Sequence, residues 1–545
     1  MEEKNNAICL DQLNEFSFAK KIKKVLKKYY WYFFGVGVLI FALLCFFNLG
    51  KKPIFDWDEA RHGINAYEML RHNSWFANYF QDEYDYWNLK PPISYWGIML
   101  GYKIFGYNTF GMRFFSALSM LIVCVIVALF LKFKNKDGGE LASVTSLILF
   151  ISCSKLLEKH CIRTGDADAY YILFFTIAII SLMTYKRNII YLYLCGLCFS
   201  LMFLTKSYHS CVLIPIVFFY LLFTRGFKKI KWWQILIFFG CSILLIVIWA
   251  VIRYSIDGSA FFKEMFWYDL FSRTQGEQGE NVQPLKYYLG YVFSSPSVLS
   301  VGFIFIVITL ILKFKTKEKL NSITKMCIIS FLSIFTIYAI SKVKLYWYLF
   351  PIYVPFILMI SDSVEKYAFS IFNKKYLTIL KSVTYSLACI GIACSVALSF
   401  FYVFKQVKET KSTYAFVQEL SSDIEKGATL YYQDSLDVIE TINETPDRFE
   451  QAQILYLEFS LDAHTRYGKE ELEKIYTIQQ LQAMFPGYDS KQYNFDIDYS
   501  VFAFLANKNN NSNVYIIVDS VIYEKYSTEL QIVKSTEKGD YYLCK

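Results

Sequence analysis

Apolar runs of about 20 residues recur between residues 30 and 404, and short stretches between them hold most of the lysine and arginine. As a helix rising 1.5 Å per residue, such a run matches the ~30 Å hydrocarbon core of a bilayer. The pattern predicts a polytopic α-helical membrane protein of about 11 spans. The expected spans cover about 30–48, 113–132, 140–157, 168–184, a pair flanking 205–210, 232–254, three between 294 and 364, and 380–404. The first run lies too far from the N-terminus for an ordinary signal peptide and lacks a convincing cleavage site, so it reads as a retained span.

Beyond residue 405 the pattern changes. Charges, Asn and Asp rise, and alternating stretches such as "NVYIIVD" and "DYYLC" predict strands between helical segments. The expected organisation is therefore a segment 1–29, a transmembrane domain 30–405 with a first loop 49–112, and a small α/β domain 406–545. "NKNNNSN" (507–513) reads as a loop tip.

Charge placement orients the spans, because loops on the cytoplasmic side carry the excess Lys and Arg. "KKIKKVLKK" (20–28), "KFKNK" (132–136), "YKRN" (185–188), "TRGFKKIK" (224–231), "KFKTKEK" (313–319) and "EKYAFSIFNKKY" (365–376) all fall inside under one assignment. The first loop, "EKHCIRTGD" (158–166), "TKSYHS" (205–210), residues 255–293, "SKVK" (341–344) and the C-terminal domain then lie outside. A multi-pass protein of a bacterial inner membrane is expected, facing membrane lipids.

Composition fits this picture. The chain has 545 residues, 55% hydrophobic, 19% aromatic and 19% charged. Its net charge of +9 sits in the short loops, so it gives no argument for nucleic acid. The 13 cysteines fall mostly inside apolar runs (Cys45, Cys124, Cys241, Cys389), where a thiol behaves as a small hydrophobe. Cys195 and Cys198 form a CxxC without partner ligands, and Cys544 stands alone in the C-terminal domain. No disulfide framework follows.

The outer loops hold the sparse charges. In 57–73, Trp57, Ile64 and Tyr67 fall near one another at helical spacing, and Asp58 and Arg61 share a face. In 90–105 a second helix starts after Lys90 and Pro91. Both read as helices lying along the interface, with Glu68, Arg71 and Lys103 on a solvated face. Asp58, among aromatic neighbours, needs a partner or a function. Arg163, Asp166 and Asp168 sit before the fourth span, Asp269, Arg273 and Glu280 follow the seventh, and Lys342 and Lys344 precede the tenth. Lys206 is flanked by apolar runs of only about 14–16 residues, roughly 21–24 Å, so it should lie near lipid-phosphate depth. Cations at that depth suit a lipid-linked phosphate, and a carboxylate there can take a proton from an attacking hydroxyl. That combination is what sugar transfer from a polyprenyl-phosphate carrier requires.

"DWDEARHGINAYEML" (56–70), "YWNLKPPISYWGIMLGYKIFGYNTFGMRFFSAL" from residue 86, "RTGDADAYY" (163–171), "FLTKS" (203–207) and "SKVKLYWYLFPIYVP" (341–355) resemble the bacterial branch of the polyprenyl-phosphate-dependent glycosyltransferases of the GT-C superfamily. Protein O-mannosyltransferases and the lipid A aminoarabinose transferases share that fold. The resemblance covers about residues 30–360 and implies an inverting transfer of a single sugar from a polyprenyl-phosphate donor on the outer face. The acceptor, whether lipid, glycan or protein, stays open. It implies Asp58 of the "DEAR" motif as base, followed by Glu59 and Arg61, and Asp168 closing "RTGxxD" behind Arg163 and Asp166. It puts Lys90 of "KPP", Lys206 of the "TKG"-like motif (Ser207 replaces glycine) and Lys344 on the carrier-phosphate or substrate-binding side, together with Arg61, Arg163 and Asp166, where Arg273 joins them by position. Aminoarabinose-type members carry a metal-associated Glu before the "KPP" lysine; Leu89, preceded by Asn88, stands here, which leaves metal dependence open. "WWQ" (232–234) is misplaced for the "WWDYG" motif of oligosaccharyltransferases, which argues against transfer of a preassembled oligosaccharide. A non-catalytic lipid or glycan transporter would instead show paired half-repeats, and none is visible. An O-antigen-ligase type of protein would favour a long loop late in the chain.

Overall fold

The computed structural model describes residues 2–545 except 56, 135–137, 273–281, 295–296, 317–318, 368–374, 406–415, 418, 421, 434–450, 467, 491–493, 495–496, 509–512 and 537–538. Arg273, Glu280 and most of the 507–513 loop lie outside the described residues. The chain forms two compact units. One comprises residues 1–51, 89–101 and 112–405; the other comprises 52–88, 102–111 and 406–545.

The first unit is helical. The first ten helices of the chain are α1 (Glu2–Phe46), α2 (Asp58–Arg71, in the second unit), α3 (Ile93–Phe105), α4 (Thr109–Lys134), α5 (Glu140–Ile151), α6 (Ser154–Glu158), α7 (Asp168–Thr184), α8 (Ile190–Lys206), α9 (Leu213–Phe223) and α10 (Trp232–Asp257). Further helices cover Val298–Thr316, Ser322–Ile340, Tyr353–Tyr367 and Lys375–Phe404. Among the described residues, six segments are long and apolar enough to cross a membrane, or up to seven if one bent pair is one span. The expected third and fourth spans appear as the shorter apolar helices Glu140–Ile151 and Asp168–Thr184, and the eleventh falls within the helix Lys375–Phe404. α8 and α9 form an out-and-back pair, because Lys186 before α8 donates to the Thr224 carbonyl after α9 at 3.1 Å. The turn between them is the 3-10 segment Ser207–Val212, the polar break read from the sequence.

One end of this unit is basic and ion-paired. Lys132 meets Glu140 at 2.9 Å, and Lys134 and Lys366 both meet Asp362, at 2.9 and 2.5 Å. The opposite end carries Asp166, Asp168 and Lys206.

In the second unit, a five-stranded mixed sheet runs in the order β4 (His464–Thr465), β3 (Thr429–Gln433), β5 (Val514–Asp519), β7 (Tyr541–Cys544), β6 (Ile532–Ser535). β3 is parallel to β4 and β5, whereas β7 runs antiparallel to β5 and β6. The expected "NVYIIVD" and "DYYLC" strands are β5 and β7, and every residue of β5 is buried. The same unit contains α2 and a hairpin of β1 (Tyr79–Phe80) and β2 (Glu83–Tyr84) that the sequence pattern did not signal. α2 differs from an interfacial helix: Glu59 to Met69 are all buried, because the helix Gln451–Leu461 packs on it. Glu68 and Arg71 are therefore interior groups, whereas Lys103 is exposed as expected.

Candidate functional site

In the helical unit, three chain segments converge at one end. Arg163 follows α6 and donates from Nη1 to the Leu44 carbonyl at 2.8 Å and from Nη2 to the Phe47 carbonyl at 2.8 Å. These are carbonyls left without partners at the C-terminal end of α1, so Arg163 ties the 159–167 loop to that helix. Its two Nη groups are taken by backbone carbonyls, while its buried Nε has no hydrogen-bond partner.

Asp168 opens α7, where the helix dipole favours a carboxylate. Its Oδ1 lies 2.6 Å from Lys206 Nζ at the last residue of α8, and both side chains are 6% exposed. Lys206 thus finds its counter-charge inside the protein, and the same ammonium sits 5.6 Å from the ring centre of Tyr348. Two residues earlier, buried Asp166 lies 3.6 Å from His160 Nδ1. His160 stacks on Trp347 with ring centres 3.7 Å apart, and Tyr348 meets His209 edge-on at 4.8 Å. Trp347 and Tyr348 belong to a 3-10 turn, Tyr346–Ile352, that follows Lys344. Lys344 donates to the Ser341 carbonyl at 2.5 Å, and burial lowers its pKa. The structure therefore brings together Asp166, Asp168, Lys206 and the segment bearing Lys344, under a wall of aromatic rings. Lys90 precedes α3 in this unit and is half-buried.

His160 and Lys155 were not singled out by sequence reasoning. Lys155 donates to the Tyr291 carbonyl at 2.5 Å and to Ser294 Oγ at 2.9 Å. Their signal was proximity to "RTGxxD", which the motif itself eclipsed.

In the second unit, Asp58 is the first residue of α2, following Trp57 in a left-handed conformation (φ 69°). His62 Nδ1 lies 2.7 Å from the Asp58 carbonyl, and buried Glu59 accepts the Phe55 N–H at 2.8 Å. Glu59 is thus a loop anchor. Arg61 makes a two-pronged pair with Asp85, Nε to Oδ2 at 2.8 Å and Nη2 to Oδ1 at 2.9 Å, beneath the Phe80 ring. Asp85 also accepts from Asn65 Nδ2 and from the Trp87 and Asn88 N–H groups. Burial alone would raise its pKa, but Arg61 and these donors hold it below the usual carboxylate value. Asp85, absent from the motifs, organises the turn between α2 and Lys90. Leu89, in the position of the metal-associated glutamate, is buried at 2% exposure and offers no ligand, so the residues present there do not fit that metal.

Residues 89–254 match the family described as dolichyl-phosphate-mannose-protein mannosyltransferase. The chain is 26% identical over 363 residues to an undecaprenyl phosphate-alpha-4-amino-4-deoxy-L-arabinose arabinosyl transferase of Wigglesworthia glossinidia brevipalpis, covering 64% of this chain and 61% of that protein. A Pseudomonas fluorescens protein described in the same words is 25% identical over 276 residues, 48% of each chain. The chain thus spans about three fifths or less of the length of these relatives. Among solved structures, ArnT from Cupriavidus metallidurans bound to undecaprenyl phosphate superposes with a TM-score of 0.66 at 13% identity, covering 93% of this chain and 97% of that one. The fold is that of this ArnT structure. The family match covers a stretch that includes the "KPP", "RTGxxD" and "TKS" motifs, and these relatives are similar to this chain, in line with the resemblance read from the sequence.

Proposed function

We propose that this protein transfers a single sugar from a polyprenyl-phosphate carrier to a hydroxyl or phosphate acceptor on a cell-envelope lipid or glycan, at the outer face of the inner membrane. The observation that carries the reading is the buried Lys206–Asp168 pair beside the Asp166–His160 pair, at the end of the helices away from the basic, ion-paired loops. The relatives named as undecaprenyl-phosphate-aminoarabinose transferases, and the ArnT fold, support a donor of that chemistry.

In this mechanism Asp58 takes the proton of the attacking acceptor oxygen. That oxygen forms a bond to the anomeric carbon as the bond to the carrier phosphate oxygen breaks, with inversion. Lys206, Lys344, Lys90 and Arg273 stabilise the departing phosphate by charge-assisted hydrogen bonds. Asp168 holds the Lys206 ammonium in one orientation, leaving its other protons for the phosphate. The aromatic rings of Trp347 and Tyr348 keep water from the reacting carbon.

The match of residues 89–254 to a protein mannosyltransferase family favours a second reading, transfer to a protein hydroxyl. Incubating the purified protein with an undecaprenyl-phosphate-linked radiolabelled sugar, and separately with lipid A or envelope protein, tests both. Label in the lipid fraction supports the first and label in protein the second. Carrier turnover with neither overturns both acceptor assignments.

A further inference from the structure

In the second unit two buried glutamates meet where α2 packs on the helix Gln451–Leu461. Glu68 and Glu458 are both fully buried and hydrogen-bonded to each other. Two carboxylates in contact away from water cannot both stay ionised. Their other contacts distinguish them. Glu68 accepts the Gln81 N–H through Oε1 at 2.8 Å and the Asp82 N–H through Oε2 at 3.0 Å, across the turn between β1 and β2. Both of its oxygens therefore face donors, which favours the carboxylate form. Glu458 accepts at Oε1 from Thr465 Oγ1 at 3.3 Å, but no donor reaches its buried Oε2. A carboxyl oxygen that no donor reaches, on a group touching a second carboxylate, is where a shared proton resides.

The charge balance agrees. Arg71 in the last turn of α2 and Asp82 in the hairpin turn are the charged groups that face the pair. Asp82 is matched by Arg466 at 3.1 Å, and His72 and His464 meet it at 2.8 and 2.9 Å. Arg71 donates to the Tyr67 hydroxyl and the Ala463 carbonyl, lies 3.6 Å from Asp82 and reaches the mostly exposed Asp462 at 3.2 Å. A single guanidinium thus stands against two buried glutamates, and one proton balances the set. Burial pushes both carboxyls toward the protonated form.

We propose that Glu458 keeps a proton at neutral pH and donates it to the Glu68 carboxylate, and that this bond is a pH-sensitive latch holding α2 on the Gln451–Leu461 helix. Glu68 also holds the turn at Gln81 and Asp82, both left-handed (φ 55° and 61°), so the proton ties three segments together. α2 begins at Asp58, so Glu458 is a positioning residue for the base, a role that rests on the function proposed above. An acid whose folded pKa is raised binds more protons folded than unfolded. Its contribution is complete below the ordinary value of 4.5 and is lost as pH climbs above it.

The test uses the full-length protein in detergent. Glu458→Gln replaces the hydroxyl by an amide that donates the same bond and cannot titrate. Glu68→Gln, equally isosteric, turns an amide N–H toward one of two backbone N–H groups and leaves a buried donor unpaired. The wild-type unfolding temperature should fall between about pH 5 and about pH 9, and Glu458→Gln should match wild type near pH 5 and fall less. Glu68→Gln should unfold at lower temperature throughout. Infrared spectra near neutral pH should show a protonated-carboxyl band in wild type that Glu458→Gln lacks. An unchanged pH slope in Glu458→Gln, its failure to fold, equal destabilisation by the two substitutions, or the absence of that band would overturn the proposal. These readouts need no turnover, so they stand even where the sugar-transfer reading fails. Where transfer is measured, wild-type turnover should fall over the alkaline range more than that of Glu458→Gln, and an equal fall would overturn the positioning role.

Discussion

Lys206 Nζ and Asp168 Oδ1 are 2.6 Å apart, joining the C-terminal end of α8 to the N-terminal end of α7 inside the helical unit. The lysine expected near lipid-phosphate depth therefore has a fixed internal anion. Removing either partner leaves the other charge buried and unpaired.

This sets the first prediction. Lys206→Ala should lower stability by about 3–5 kcal/mol, the cost of breaking a buried pair, as well as weakening donor binding. The double variant Lys206→Met with Asp168→Asn has no unpaired charge, so it should recover most of the stability and none of the donor binding. Unfolding in detergent and binding of a labelled polyprenyl-phosphate sugar check the two separately. Recovered donor binding in the double variant would remove Lys206 from the carrier site.

Asp58 leads to the second. Asp58→Asn keeps the side-chain shape and loses the base, so turnover should fall by about 10²–10⁴ with donor affinity preserved. A properly inserted variant with near-normal turnover would exclude Asp58 as base and shift attention to the Asp166–His160 pair.

The third concerns Asp85. Its carboxyl is held below the usual value by Arg61, Asn65 and backbone donors, against burial. A depressed carboxylate adds stability that is present above its unfolded pKa, near 3.8, and lost as pH falls through the lower folded value. Asp85→Asn should remove that acid-range loss. At neutral pH it should also cost about 3–5 kcal/mol, because buried Arg61 loses its partner. Unfolding curves between pH 7 and pH 3 for both proteins check the slope and the offset together.

Much of this was legible in the sequence. Period and length gave the helical runs, and motif order gave the family resemblance, because both are local in the chain. The 205–210 break appears where short apolar runs placed it, with Lys186 and Thr224 adjacent at the other end. Three things were not legible. Glu68 and Arg71 read as a solvated face because the helix that buries them, Gln451–Leu461, lies nearly 400 residues away in sequence. The contacts of Arg163 with α1 went unseen because a side chain capping a distant helix end leaves no periodic mark. Asp85, Lys155 and His160 sit in irregular segments, where no repeat distinguishes a structural polar group from a surface one.

The last prediction concerns sidedness. The charge bias of the loops at Lys132, Lys134 and Lys228 leads to the expectation that they are cytoplasmic, and the odd span count expected from the sequence would then put residues 406–545 on the other side. Ser527 is exposed in a turn of the sheet-bearing unit, and Lys228 is exposed between α9 and α10. Cysteines introduced at these two positions, in a background lacking the exposed Cys389 and Cys394, should therefore report opposite faces. With an impermeant thiol reagent and outer-permeable cells, the Ser527 cysteine should label at once. The Lys228 cysteine should label only after the inner membrane is broken. Labelling of both, or of neither, in intact cells would mean an even number of crossings between them. The Lys206–Asp168 end of the helices would then have to be assigned a side independently of the C-terminal sheet.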